Sequence, residues 1–178
     1  MSHSISFSLE FDEKFSNKIK KLYKLLEKNL KVSYYQKYHS LPHINLLSGK
    51  TKNIKEIKKL KISSKGIKLK VKFVGIGVFP LSDHNIVFLR FENSNKLQKL
   101  RKKLFKKTKG YFSKIDKTCS DLLWIPKCTV ASNDVNDNKL SNVIKILKKF
   151  KFENISVISK ICILDYTFKE VKISEIKI

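Results

Sequence analysis

The sequence predicts an α+β fold within a single domain. Three observations carry that prediction. Segments with apolar residues at every second position, such as Ile5, Phe7, Leu9 and Phe11, read as strands. Segments with apolar residues at helical spacing and lysines between them read as amphipathic helices. The order strand, Lys-rich helix, loop, Pro-initiated strand then occurs twice. The 178 residues fit one domain, 1–178, in two pseudo-symmetric halves of approximately 1–80 and 81–178, with terminal segments able to cross between them.

The elements follow in order. The first strand is expected to be half-buried, with Ser6, Ser8 and Glu10 on its open face. A helix over Asp12 to Lys31 places Phe15, Ile19, Leu22, Leu26 and Leu30 on one face, with Asp12 or Ser16 at its start. The aromatic stretch Val32 to Tyr38 leads to Pro42 and a strand over His43 to Leu47. A short Lys-rich helix, about Ile54 to Leu60, precedes an alternating strand of Ile67, Leu69, Val71 and Phe73. Gly75 and Gly77 break its continuation, and this lone GxG lacks the third glycine and helix of a dinucleotide fingerprint.

The second half opens with the strand Ile86 to Phe91. Asn93 or Ser94 caps a helix carrying Leu97, Leu100 and Leu104. A loop over about Thr108 to Leu122 leads to the segment Leu123 to Ala131, which holds the second Pro-initiated strand, at Pro126. A helix over Lys139 to Phe150 and strands over Ile155 to Leu164 and Tyr166 to Ile173 close the chain.

Composition sets the outer limits. Thirty-nine Lys+Arg against 15 Asp+Glu give +24, yet 42% of residues are hydrophobic, so the chain is no disordered basic tail. No apolar run is long enough to span a membrane, and the N-terminus lacks the pattern of a signal peptide. Cys119, Cys128 and Cys162 form neither a disulfide framework nor a zinc motif. A soluble, cytoplasmic monomer without cofactor or metal is expected.

The excess of cation suits a polyanion. It also has a compositional explanation, because Lys, Ile and Asn have AT-rich codons and the lysines are spread along the whole chain. Only Arg90 and Arg101 are arginines, the usual bidentate readers of phosphate and guanine.

Two halves about a pseudo-twofold would bring the Pro-initiated strands side by side. His43 and Asn45 lie two apart on the first, and Lys127 and Thr129 two apart on the second, so each pair faces one way. Tyr34, Tyr35 and Tyr38 precede the first pair and Trp124 the second, as candidate base-stacking residues. For Trp124 a place in the core is the preferred reading, with stacking the other, and Cys128 points away from its neighbours into the core. His39 is a loop residue and the only nearby candidate for a replacement proton donor.

The segments Pro42-His43-Ile44-Asn45 and Pro126-Lys127-Cys128-Thr129 resemble the paired His-x-Thr/Ser motifs of the 2H phosphoesterase superfamily, in its 2′-5′ RNA ligase-like (LigT-like) cyclic phosphodiesterase branch. The resemblance implies duplicated β-α-β units, with two antiparallel sheets facing a central cleft and helices outside. It also implies two imidazoles acting as general base and general acid on a 2′,3′-cyclic phosphate or a 2′-5′ linkage, with hydroxyls on the phosphate and no metal. This sequence keeps half of each pair. Asn45 stands in place of the first hydroxyl residue and Lys127 in place of the second His. Lysine is a cation at neutral pH and transfers protons only where its pKa is lowered.

His43 and Lys127 are thus the candidate catalytic residues, and Asn45, Thr129 and Lys127 the candidate phosphate-binding ones. The partner expected is RNA or a nucleotide phosphodiester, hydrolysed or only bound. A basic structural protein with a vestigial cleft is the remaining alternative.

Overall fold

The computed structural model describes residues 2–60, 69–167 and 170–177. The strands are β1 (His3–Phe11), β2 (His43–Thr51), β3 (Leu69–Pro80), β4 (Asn85–Phe91), β5 (Lys114–Ile115), β6 (Lys127–Ala131), β7 (Ile155–Asp165) and β8 (Val171–Lys177). The helices are α1 (Glu13–Leu30), α2 (Tyr34–Lys37), α3 (Ile54–Lys58), α4 (Asn95–Thr108) and α5 (Asp137–Lys149). Among the described residues every strand pairing is antiparallel. The α+β class expected from the sequence is therefore observed. Ile67, expected at the start of the third strand, lies outside the described residues.

Two facing sheets were implied; here the strands form one hydrogen-bonded path, β5-β2-β1-β7-β3-β4-β6, with β8 also paired to β7. The join is β3. Its first residues, Leu69 to Lys72, pair with β7, and the rest, Phe73 to Pro80, pair with β4. A register shift between Phe73 and Gly75 marks the change of partner, and Gly75 takes φ 150°, a conformation open to glycine. Gly77 lies against the Phe88 ring, where a Cβ would clash. Both glycines of the GxG thus serve the strand and not a phosphate loop.

The helices form where the apolar spacing places them. Asp12 caps α1 by accepting from the Phe15 amide, Ser94 caps α4 from Leu97, and Asn136 caps α5 from Lys139. Phe15, Ile19, Leu22 and Leu26 of α1 are buried in the core, with the lysines between them facing outward. Lys31 ends α1 in the left-handed conformation (φ 55°) and reverses the chain toward α2.

β1 departs from its half-buried expectation. It lies between β2 and β7, and Ser6 and Ser8 are fully buried, their hydroxyls 2.9 Å apart. The alternation was read correctly, but both faces are covered.

The same pairing pattern occurs at both Pro-initiated strands. On β2, His43, Ile44, Asn45 and Leu47 pair with Glu10, Leu9, Ser8 and Phe7, leaving Leu46 as an extra residue. On β6, Lys127, Cys128, Thr129 and Ala131 pair with Arg90, Leu89, Phe88 and Val87, leaving Val130 extra. Each strand therefore bulges one residue after its polar pair. A bulge leaves backbone groups without a ladder partner, and buried ones need another. The Arg101 guanidinium of α4 donates Nε–H to the Leu46 carbonyl (3.2 Å) and a second N–H to the Cys119 carbonyl. The Tyr23 hydroxyl of α1 donates to the Thr129 carbonyl (3.4 Å). Each long helix thus braces the Pro-initiated strand of the other half.

Arg101 is 2% exposed and stacks on Trp124, 4.7 Å from its ring centroid. Arg101→Ala strands two buried carbonyls and removes the stack. It is expected to lower unfolding free energy by about 3 kcal/mol or more, read as a shift of the urea midpoint. A change below about 0.5 kcal/mol would show that the bulge needs no brace.

Candidate functional site

Strand alternation places each polar pair on one face of its strand, just ahead of the bulge. His43 and Asn45 of β2 and Lys127 and Thr129 of β6 are half-buried, while Ile44 and Cys128 between them are fully buried. All four polar residues line one cavity of about 390 Å³. Tyr34, Tyr35 and Tyr38 form one wall, and Ser40, Tyr166 and Glu170 complete it.

The tyrosine wall is held by an acid from the far half. Asp134, after β6, accepts from the amides of Ser33 (2.6 Å) and Tyr34 (3.0 Å). Tyr35 stacks on Tyr23 with centroids 5.4 Å apart, and the Tyr23 hydroxyl ties that stack to the Thr129 carbonyl. Tyr34 lies within 5.2 Å of Tyr35 and 5.0 Å of Tyr38, ring to ring. Tyr38 is 43% exposed and is the wall's open edge.

His43 is fixed at both nitrogens. Nδ1 lies 2.6 Å from the Leu41 carbonyl, which only accepts, so Nδ1 carries the proton. In the neutral ring Nε2 is then an acceptor, and the Tyr166 hydroxyl, 2.9 Å away, donates to it. Burial, and after it the charge of Glu170, pushes the Tyr166 phenol well above its ordinary pKa. Burial first, then Glu170, pushes Tyr35 up in the same way. Both phenols remain protonated donors. The Glu170 carboxylate accepts from the Leu41 amide (2.6 Å), which ties the β7–β8 loop to the segment that enters β2.

Lys127 is the cavity's cation. Its ammonium sits over the Phe79 ring, 5.4 Å from the centroid. Burial lowers its pKa below the ordinary lysine value. The Asn45 Oδ1 is buried without a hydrogen-bond partner. A half-turn of the amide exchanges its oxygen and nitrogen, so the side chain offers either an acceptor or a donor to a ligand.

Trp124 is corrected. It is 6% exposed, lies outside the cavity lining, and donates its indole N–H to the Asn45 carbonyl (2.8 Å). With both faces committed to the core and Arg101, it stacks no base; it braces the bulge of β2 from behind. The Pro-initiated strand begins at Lys127, directly after Pro126. Cys128 is fully buried and its thiol is pushed up to about 12 by burial, which leaves it an inert core residue. His39 takes φ 50° and is exposed; it lines a neighbouring groove and not the His43 cavity.

Tyr166 and Glu170 were missed. The sequence reads Tyr166 to Ile173 as a strand, but β7 ends at Asp165 and β8 starts at Val171. The Thr167 amide donates to the Asp165 carboxylate (2.9 Å), a local turn that competes with the ladder. Asp165 followed by a hydroxyl residue two positions on was the available signal. Among the described residues no cluster of His, Cys, Asp or Glu is arranged to hold a metal ion.

No family model and no curated protein matches this chain. Among solved structures, it aligns over nearly its full length with Kluyveromyces marxianus Usb1. The TM-score is 0.43 at 11% identity, covering 97% of this chain and 96% of that one. The same protein solved with uridine monophosphate aligns with TM-score 0.42, again at 11% identity. At that identity the alignments assign no role to any residue here.

The lowered pKa of Lys127 has a definite consequence with pH. Its charge is lost at lower pH than that of an exposed lysine, near ~10.4. Anion binding in the cavity is expected to fall as pH rises, with a midpoint below that range. In stability terms the folded state carries the cost of a buried cation at pH 7, and that cost fades as pH rises through the folded-state pKa. Lys127→Met is therefore expected to be at least as stable as the parent at pH 7 while losing phosphate binding. Urea denaturation and phosphate titration by calorimetry read the two effects separately.

Proposed function

We propose that this cavity binds the phosphodiester of a nucleotide or RNA end, a 2′,3′-cyclic phosphate or a 2′-5′ linkage, and hydrolyses it. The single observation that carries the reading is the convergence of His43, Asn45, Lys127 and Thr129, two strands' worth of polar pairs, on one cavity. Lys127 and Thr129 suit the non-bridging oxygens. Glu170 and the unpartnered Asn45 oxygen suit the hydroxyls of a ribose, because a carboxylate holding one N–H still has acceptor capacity.

In this reading the His43 Nε2 removes a proton from water after the Tyr166 hydroxyl yields its place. The water oxygen bonds to phosphorus as the P–O bond to the ribose breaks. Lys127 donates an N–H proton to the departing oxygen, and burial favours that transfer by lowering its pKa. Solvent returns the proton from His43 to Lys127. Tyr166 acts as a positioning residue for the imidazole.

One observation favours a second reading, a receptor without turnover. A lysine stands where a second imidazole would shuttle protons, and the one imidazole present is already engaged at both nitrogens.

The test is a panel of 2′,3′-cyclic nucleotides and 2′-5′-linked dinucleotides, followed by product chromatography and by binding calorimetry. Turnover that falls about 10²–10⁴-fold in His43→Ala, and also falls in Lys127→Ala, supports hydrolysis. Binding without turnover, lost in Lys127→Ala, supports the receptor. Absence of both overturns the assignment of phosphodiesters to this cavity.

A further inference from the structure

A second groove, of about 560 Å³, adjoins the cavity. Tyr35 and Ser40 line both and form the wall between them. Its other side is a face of α1. Asn17, Lys20, Lys21 and Lys24 are spaced i, i+3, i+4, i+7, so their side chains form one stripe along the helix. Gln36 and His39 border it from the α2 side.

Lysines are common in this chain, so a stripe of them is not evidence by itself. Two features distinguish this one. No carboxylate lines the groove, whereas the cavity beyond the wall contains Glu170. Lys20, Lys21 and Lys24 have no acidic partner among the described residues, unlike Lys14, Lys59, Lys160 and Lys172, but that they share with other lysines of the chain. The dividing wall is also rigid. The Tyr23–Tyr35 stack is locked to β6 through Thr129, and Ser40, 3% exposed, donates its amide to the Tyr35 carbonyl.

The turn at His39 joins the two spaces. His39 takes the left-handed conformation (φ 50°), available to histidine at modest cost, between exposed Tyr38 and buried Ser40. The chain thereby presents one residue to the groove and the next to the wall.

We propose that the groove is a second phosphate subsite, and that the ligand is a single-stranded oligonucleotide spanning both spaces. The reacting phosphodiester occupies the His43–Lys127 cavity. Phosphates of neighbouring nucleotides cross the Tyr35–Ser40 wall and lie along Lys20, Lys21 and Lys24. This rests on the phosphodiester reading of the cavity and extends it from the reacting linkage to the phosphates beside it, held in a separate groove. Permanent cations without an opposing carboxylate attract phosphate in any sequence, so the subsite reads length and not base identity.

The experiment compares uridine 3′-monophosphate with 3′-phosphorylated oligouridylates of two, four and six nucleotides, by calorimetry over a range of salt. The proteins are the parent and the variant K20A/K21A/K24A, whose exposed helix positions tolerate alanine. The parent is expected to bind the hexamer about tenfold or more tightly than the monophosphate. The variant is expected to lose about tenfold on the hexamer and nothing on the monophosphate. Its salt slope should fall by about 2, three contacts at roughly 0.7 each.

Equal affinity for all lengths, or an unchanged hexamer affinity in the variant, overturns the subsite while leaving the cavity reading intact. A polyglutamate of the hexamer's charge that competes as well as RNA also overturns it, because the groove is then a general anion surface. Hexamer binding with no monophosphate binding overturns the shared path, and binding of neither ligand overturns the cavity reading itself.

Discussion

The site depends on two strand bulges whose stranded carbonyls must be satisfied inside the core. Each bulge follows a polar pair by one residue, at Leu46 and at Val130. Without it, the alternation of the strand would carry on unbroken beyond the pair. With it, the strand twists away and His43 and Asn45, or Lys127 and Thr129, are presented at the strand's near end. The cost is unpaired backbone in a dry place. That requirement explains three residues which otherwise look unrelated: Arg101, Trp124 and Tyr23 all donate to carbonyls at the two polar pairs and the bulge of β2.

This arrangement assigns the charge of the chain to different tasks. Arg101 is a structural cation, locked in the core with a fork of donors that a lysine does not possess. Lys127 is held half-buried over an aromatic face, where its field is least screened. The lysines of α1 lie in solvent, where each contributes little alone and where only their alignment matters. The overall +24 is thus mostly background, and position decides which charges act.

Much of the fold was legible because strand and helix periods differ and the chain keeps to them. The caps at Asp12 and Ser94, the apolar stripe of α1 and the start of β2 at His43 were read from residue type and spacing. What escaped depended on tertiary cover. Ser6 and Ser8 look solvent-facing in a strand, but the second face of β1 is covered as well and buries them. A core place for Trp124 was readable, but not that Arg101 arrives from twenty-odd positions earlier to claim its face. Tyr166 and Glu170 sit in a loop that a strand-forming composition disguised. The pairing of His43 with Lys127 was read from the repeated order, while the acceptor that fixes the imidazole tautomer, the Leu41 carbonyl, was invisible until the chain turned at Pro42.

The position of β7 has a consequence in time. It lies between β1 and β3, pairing Ile5 with Asp165 and Phe11 with Ile158, so the middle of the sheet comes from the far end of the chain. On a ribosome, β1 and β2 emerge long before the strand that joins them to β3. Until then β1 presents an open edge with an apolar face of Ile5, Phe7, Leu9 and Phe11. Topology of this kind makes for slow, late closure of the sheet. It also means that the cavity, which needs Tyr166 beyond β7, is assembled only after β7 has been made, so the nascent chain holds most of its lysines before it holds its site.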